Sequence, residues 1–306
     1  MITAYDYWRY LFPLEFAGVL FLVAGLISVR RELSIRPEGL LALGRAFVPA
    51  AIATFGAEHL VSGRSMAGMV PSWIPVHVFW VYFFGCAHLA AALSIVSMKF
   101  VRLGTALLGL MLLLFVLTIH LPNVIAHPRD RLLWAVATRD TLFALGSWAF
   151  ASSLTRKTWP VFAPRVISVC RIFIALVLLF YAVEYFLFPR FALGVPLQLP
   201  TPATIPARPV WDFVTGGMLA AAGIALLIEK QARAVAAIVG VAIAILTVPV
   251  FIAMMAAAVK PFDVTMSLNY VFDNLLFAGS ILFLASAITA GAGRLSYGLG
   301  AGGGSS

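Results

Sequence analysis

The chain has 306 residues, 62% of them hydrophobic and only 11% charged, against about a quarter charged in an ordinary soluble protein. That composition excludes a soluble globular fold. With 24 Phe, 7 Trp and 9 Met to be kept from water, it excludes disorder as well. The net charge of +9, from 21 Lys and Arg against 12 Asp and Glu, is read as loop charge at an anionic membrane face, so no nucleic-acid partner is expected.

Residues 1–11 carry Asp6, four aromatic residues and no basic leader, so the first apolar run is expected to stay as a helix and not to be cleaved as a signal peptide. Apolar runs between charges and prolines then predict nine membrane helices. They cover 12–29, 44–62, 76–98, 103–124, 132–154, 168–187, 210–228, 234–257 and 266–289. The Gly/Ser-rich end, 291–306, reads as a flexible tail. Alternating the loops between two sides places seven Lys and Arg on the side of the N-terminus and thirteen on the other. The positive-inside bias then puts the N-terminus outside and the C-terminus in the cytoplasm. Cys86 and Cys170 lie in separate apolar stretches with no Cys-x-x-Cys spacing, and both are expected to be buried small hydrophobes.

The chain repeats itself. Arg45, Phe47 and Glu58 recur 126 residues later as Arg171, Phe173 and Glu184. Ile74, Pro75, Trp80, Gly85, Lys99 and Arg102 recur at an offset of 131, and Pro128, Asp130, Asp140, Gly146 and Ser147 at 133. Chance pairs Leu with Leu in apolar sequences, but not charges, Trp and Pro in one order. The fold predicted is therefore an all-α integral membrane protein: a lead helix (1–43) and two parallel tandem four-helix bundles, 44–156 and 157–290.

The stretch from Ala57 to Ala126 holds Glu58-His59-Leu60, Val70-Pro71-Ser72-Trp73-Ile74-Pro75, Trp80-Val81-Tyr82, Gly85 and Leu121-Pro122-Asn123. It resembles the DoxX and DoxX-like four-helix membrane family over about 110 residues of the first unit. The second unit keeps Ile205-Pro206, Trp211 and Gly216, has Tyr185 in place of His59 and lacks the Pro-x-Asn. The resemblance implies a four-helix bundle, and for some members a link to thiosulfate:quinone oxidoreduction or association with redox enzymes.

Of the twelve carboxylates, Asp6, Glu15, Glu32, Glu38, Asp130, Asp212, Glu229 and Asp263 lie in or near loops and helix ends, which leaves Glu58, Asp140, Glu184 and Asp273 within the spans, one Glu/Asp pair written twice. Ionisable groups in hydrocarbon cost several kcal/mol and normally face the bundle interior with a partner or mark a path for ions, protons or substrate. Adjacent residues project about 100° apart on a helix, so Arg139 is expected to reach Glu58 and not Asp140. In the second unit Phe272 stands in the place of Arg139, leaving Glu184 and Asp273 without that cation. All five histidines, His59, His77, His88, His120 and His127, lie in the first unit. Glu58, His59 and His120 have no metal-ligand spacing, and no metal site is assigned.

A quinone pocket needs an apolar slot with a few proton-passing groups. Glu58, His59 and Asp140 are the candidate catalytic residues, and Trp73, Trp80, His120, Asn123 and Arg139 the candidate cofactor-binding ones, with Glu184, Tyr185 and Asp273 as second-unit equivalents. Trp73 and Trp80 fit an interfacial aromatic belt equally well, and Glu58, Arg139 and Asp140 fit a structural clasp. No nucleophile elbow, phosphate loop or dinucleotide fingerprint is present. The function expected is a quinone-linked redox subunit of a bacterial-type inner membrane, with an outer-side pocket, lipid contact, a redox partner subunit and self-association. The alternatives are a non-catalytic membrane scaffold or assembly partner, and a small-solute or proton-coupled transporter.

Overall fold

A computed structural model describes residues 7–189 and 205–288. The tail 291–306, and Arg190 and Arg294 from the charge count, lie outside these. The described residues form no strand and nine long helices: α1 (Phe12–Val29), α2 (Gly44–Met66), α3 (His77–Ser97), α4 (Val101–Phe115), α5 (Arg131–Ser153), α6 (Phe162–Leu187), α7 (Arg208–Ile228), α8 (Ala232–Ala257) and α9 (Pro261–Ala287). A π-helical turn, Tyr7–Leu11, leads into α1, and α4 continues through a π-helical turn and a short helix to Ala126. Eight of the nine are long and apolar enough to cross a membrane. The ninth, α5, has the length, at 23 residues, but carries Arg131, Arg139 and Asp140. Its neighbours take up those charges, because α5 packs against α4, α6 and α9 in the middle of the molecule. The protein is an all-α integral membrane protein.

The repeat is written in the backbone. Among the described residues the six non-glycine residues with positive φ are Val76, Met98, Phe100, Ala207, Glu229 and Gln231, and each of the first three matches one of the second three at the offset of 131. They bracket the entry to α3 and the tight α3/α4 turn, then the entry to α7 and the α7/α8 turn. Left-handed backbone is costly for residues with a Cβ, so its return at matched places marks one folding unit used twice.

The units interlock. The last helix of each, α5 and α9, packs on the other, while α5 also lies against α6 and α9 against α2. Without a hydrophobic drive between helices in lipid, such contacts need small residues that let backbones approach. At Gly146 a Cβ would fall 2.9 Å from the Ser280 Cα across the α5–α9 contact, and at Gly25 one would fall 2.5 Å from the Ala46 Cα across α1–α2. Between α1 and α2 lies the segment 30–43, whose Pro37–Leu40 turn rests on α8 while Leu41–Leu43 rests on α9, with Leu41 and Ala42 buried. Arg171 closes the end of α7, donating to the Leu226 carbonyl and pairing with Glu229. Its counterpart Arg45 pairs with Glu32. Cys170 is buried, but Cys86 is exposed, which corrects the expectation for it; both are free thiols.

Candidate functional site

Four of the candidate residues meet in one buried network at the junction of the units. His120 reaches it because α4 is distorted just before it ends. Pro122 has no N–H to continue the α-helical ladder, and the chain widens into the π-helical turn Val116–His120, where the Leu121 N–H donates to the Val116 carbonyl. The His120 Nε2 then lies 2.9 Å from Asp140 Oδ2 on α5. The Arg139 Nε donates to the other oxygen of Asp140 at 3.1 Å, and its Nη1 donates to Asp273 Oδ2 on α9 at 2.6 Å. Arg139 therefore bonds its own neighbour and not Glu58, contrary to the helical-wheel expectation. Its long stem lets the guanidinium fold back along α5 while a second N–H reaches across to α9. Tyr181 of α6 stands beside it, donating from its hydroxyl to the Ala135 carbonyl at 2.5 Å.

The second-unit carboxylates are not left without a cation. Asp273 has Arg139, and Glu184 has Arg131, whose Nε lies 3.0 Å and Nη2 2.5 Å from Oε2, with the guanidinium stacked 3.3 Å over the Phe188 ring. Both arginines come from α5 of the first unit. Phe272, the counterpart of Arg139, is committed elsewhere: it packs so closely under Gly18 of α1 that a methyl there has no room.

Glu58 accepts from the Asn269 amide of α9 at 3.2 Å and lies within electrostatic reach of Asp273. The next residue of α2, His59, faces His88 of α3, and the two rings stand 5.2 Å apart. Each ring holds Nδ1 against the carbonyl four residues back, Phe55 at 2.7 Å and Phe84 at 2.8 Å. A carbonyl only accepts, so Nδ1 carries the hydrogen and Nε2 keeps its lone pair in both rings. His88 lies within electrostatic reach of Asp140 in that network.

Other candidates are placed apart. Trp73 is exposed in the α2–α3 loop. Trp80 donates its indole N–H to the Pro75 carbonyl at 3.0 Å, stiffening that loop, and sits in an aromatic cluster with Phe79, Phe83 and Phe84. Asn123 is exposed and donates to the Ile119 carbonyl within its own helix. Tyr185 is buried in the second unit, in electrostatic contact with Tyr270 and Asp212. Among the described residues no group of three or more His, Cys, Asp or Glu is arranged to hold a metal ion.

Sequence reasoning missed Asn269, Arg131 and Tyr181, whose roles appear only when α5, α6 and α9 meet. It also placed Asp212 among the loops and helix ends. Asp212 is fully buried in α7, and among the described residues neither carboxylate oxygen has a hydrogen-bond partner. A count of its neighbours in sequence could have raised it, since it falls three residues inside an apolar run.

A slot of about 730 Å³ runs between α3 and α4 and opens between the helices. Phe84 lines it, packing edge-on against Phe115 at 4.8 Å, and Phe115 lies 6.3 Å from the His88 ring. An apolar slot thus stops one aromatic layer short of the histidine pair. No family model, curated protein or solved structure matches the chain.

Proposed function

We propose that this protein is a DoxX-like, quinone-linked redox subunit of a bacterial-type inner membrane, with its N-terminus outside, working with a partner that supplies electrons. The observation that carries this reading is the juxtaposition just described: a ring-sized apolar slot between α3 and α4, one aromatic layer from two histidines whose Nε2 lone pairs are available. A bound quinone would supply a couple of two electrons and two protons. The chain's own groups suit the proton half of that couple. Nε2 of His88 and of His59 can each take up and release a proton, while Nδ1 holds the ring in place. Glu58, held by Asn269, and the His120–Asp140 pair would carry protons to and from the outer side. Phe84 and Phe115 would exclude water from the slot. The DoxX resemblance of the first unit agrees with this, since all five histidines belong to it.

The test is organic extraction of the purified protein, followed by rebinding of a short-chain ubiquinone analogue read by quenching of tryptophan fluorescence. Saturable binding that weakens at least about tenfold in His88→Phe, with unfolding unchanged, is the expected result. Equal binding by wild type and variant would overturn it.

A scaffold role is the second reading, favoured by one specific observation. Arg139–Asp273 and Arg131–Glu184 are cross-unit ion pairs that hold the molecule together. It predicts no saturable quinone binding at all.

A further inference from the structure

A second cavity, of about 980 Å³, lies at the opposite end of the helices from the Trp73 loop, where α5 ends and α6 begins. Its wall is apolar, built from Leu103 and Ala106 of α4, Trp148 of α5 and Val166 and Val169 of α6, with Arg102 and Arg165 at the rim. Both arginines are exposed, and among the described residues neither makes a side-chain hydrogen bond or ion pair. Lys99, Arg156 and Lys157 belong to the same end. From residue 99 to 165 the only carboxylates are Asp130 and Asp140, which belong to the far half of α5 and the loop before it. Trp159, beside the rim, packs edge-on to Phe162 at 5.7 Å, in the manner of an aromatic at the headgroup level.

The counterpart of this place in the other half of the molecule is the groove between α8, α9 and α2. That one is filled: Pro37–Leu40 lies on α8 and Leu41–Leu43 on α9, with Leu41 and Ala42 buried there. Among the described residues the connection before α6 gives no matching cover, and the α4–α5–α6 groove is open. What fits an open apolar groove in a membrane, with two unpaired guanidiniums and hydroxyls at its water end, is an amphiphile with an anionic head.

We infer that the α4–α5–α6 groove is a binding site for one anionic phospholipid, its acyl chains along Leu103, Ala106, Val166 and Val169 and its phosphate between Arg102 and Arg165. The phosphate would accept from both guanidiniums, and Ser152 and Thr158 offer further donors. A lipid held there would span the seam between the two units, since α4 and α5 belong to the first and α6 to the second.

The full chain is reconstituted in vesicles of equimolar phosphatidylglycerol and phosphatidylcholine, re-extracted in mild detergent, and weighed by native mass spectrometry. Wild type is expected to keep one phosphatidylglycerol in preference to phosphatidylcholine. Arg102→Gln with Arg165→Gln is expected to lower that preference by about tenfold or more, and Arg102→Lys with Arg165→Lys to retain most of it. Equal retention of the two lipids by wild type would overturn the inference, even if the Gln variant fails to fold. So would an unchanged preference in a folded Gln variant, or a mass matching a quinone or a second copy of the chain in place of the phospholipid.

Discussion

Arg139 is the residue on which the junction turns. It neutralises Asp140 on its own helix and Asp273 on α9, and all three side chains are largely withdrawn from water. Removing one partner of a buried ion pair leaves a charge uncompensated, which costs about 3–5 kcal/mol. Arg139→Met is therefore expected to destabilise the protein by about that much in denaturant unfolding in detergent. Adding Asp273→Asn should return part of the loss, and the non-additivity of the double-mutant cycle measures the pair. Arg139 was visible in the sequence as a cation inside a span, but its partner was not. Asp273 is 134 positions away, and helical-wheel geometry speaks only for side chains too short to fold back. Glu58 is a parallel case, since its Asn269 partner on α9 is an uncharged residue that composition does not single out.

At the scale of the element, the tight turns carry the cost of the design. Gln231 sits at φ 52° at the entry to α8, exposed to solvent. A glycine reaches that backbone without the Cβ clash. Gln231→Gly is expected to stabilise the protein by roughly 0.5–1 kcal/mol, read as a higher midpoint of thermal unfolding. If the midpoint falls, the side chain contributes more than the backbone loses. The helices themselves were legible because hydrocarbon sets their length. The predicted run 44–62 is found within Gly44–Met66, and 210–228 within Arg208–Ile228. The start of α6 was not. It begins at Phe162 and not at 168, because the helix extends past the apolar core and carries Arg165 at the groove rim. Nor could the π-helical turn that places His120 be read, since Pro122 announces a distortion without saying which way it rotates the side chains.

At the scale of the whole molecule, the interlocking of α5 with α6 and of α9 with α2 means that neither unit is closed on its own. Expressed separately, residues 1–156 and 157–306 are each expected to be degraded or aggregated, whereas co-expressed halves should co-purify as a complex. Two halves that each purify as folded monomers would contradict the packing. The tandem organisation was legible in the spacing of charged and aromatic residues. The way the halves exchange contacts was not, because offsets report correspondence and say nothing about which surface meets which.

The placement of Arg139 has a consequence for symmetry. The contacts of α5 on α9, α5 on α6 and α9 on α2 are those of a two-fold related pair, in which any residue near the axis meets its own equivalent. Two identical chains would bring either two arginines or none to that axis, each set with two aspartates. One arginine between two aspartates is an arrangement that two identical chains cannot encode and a fused chain can. Here Phe272 has been given over to α1, and the single cation serves both carboxylates. With two carboxylates and one guanidinium, the axis keeps one negative charge in excess when all three are ionised, and that excess faces the His120 ring, whose Nε2 lies 2.9 Å from Asp140.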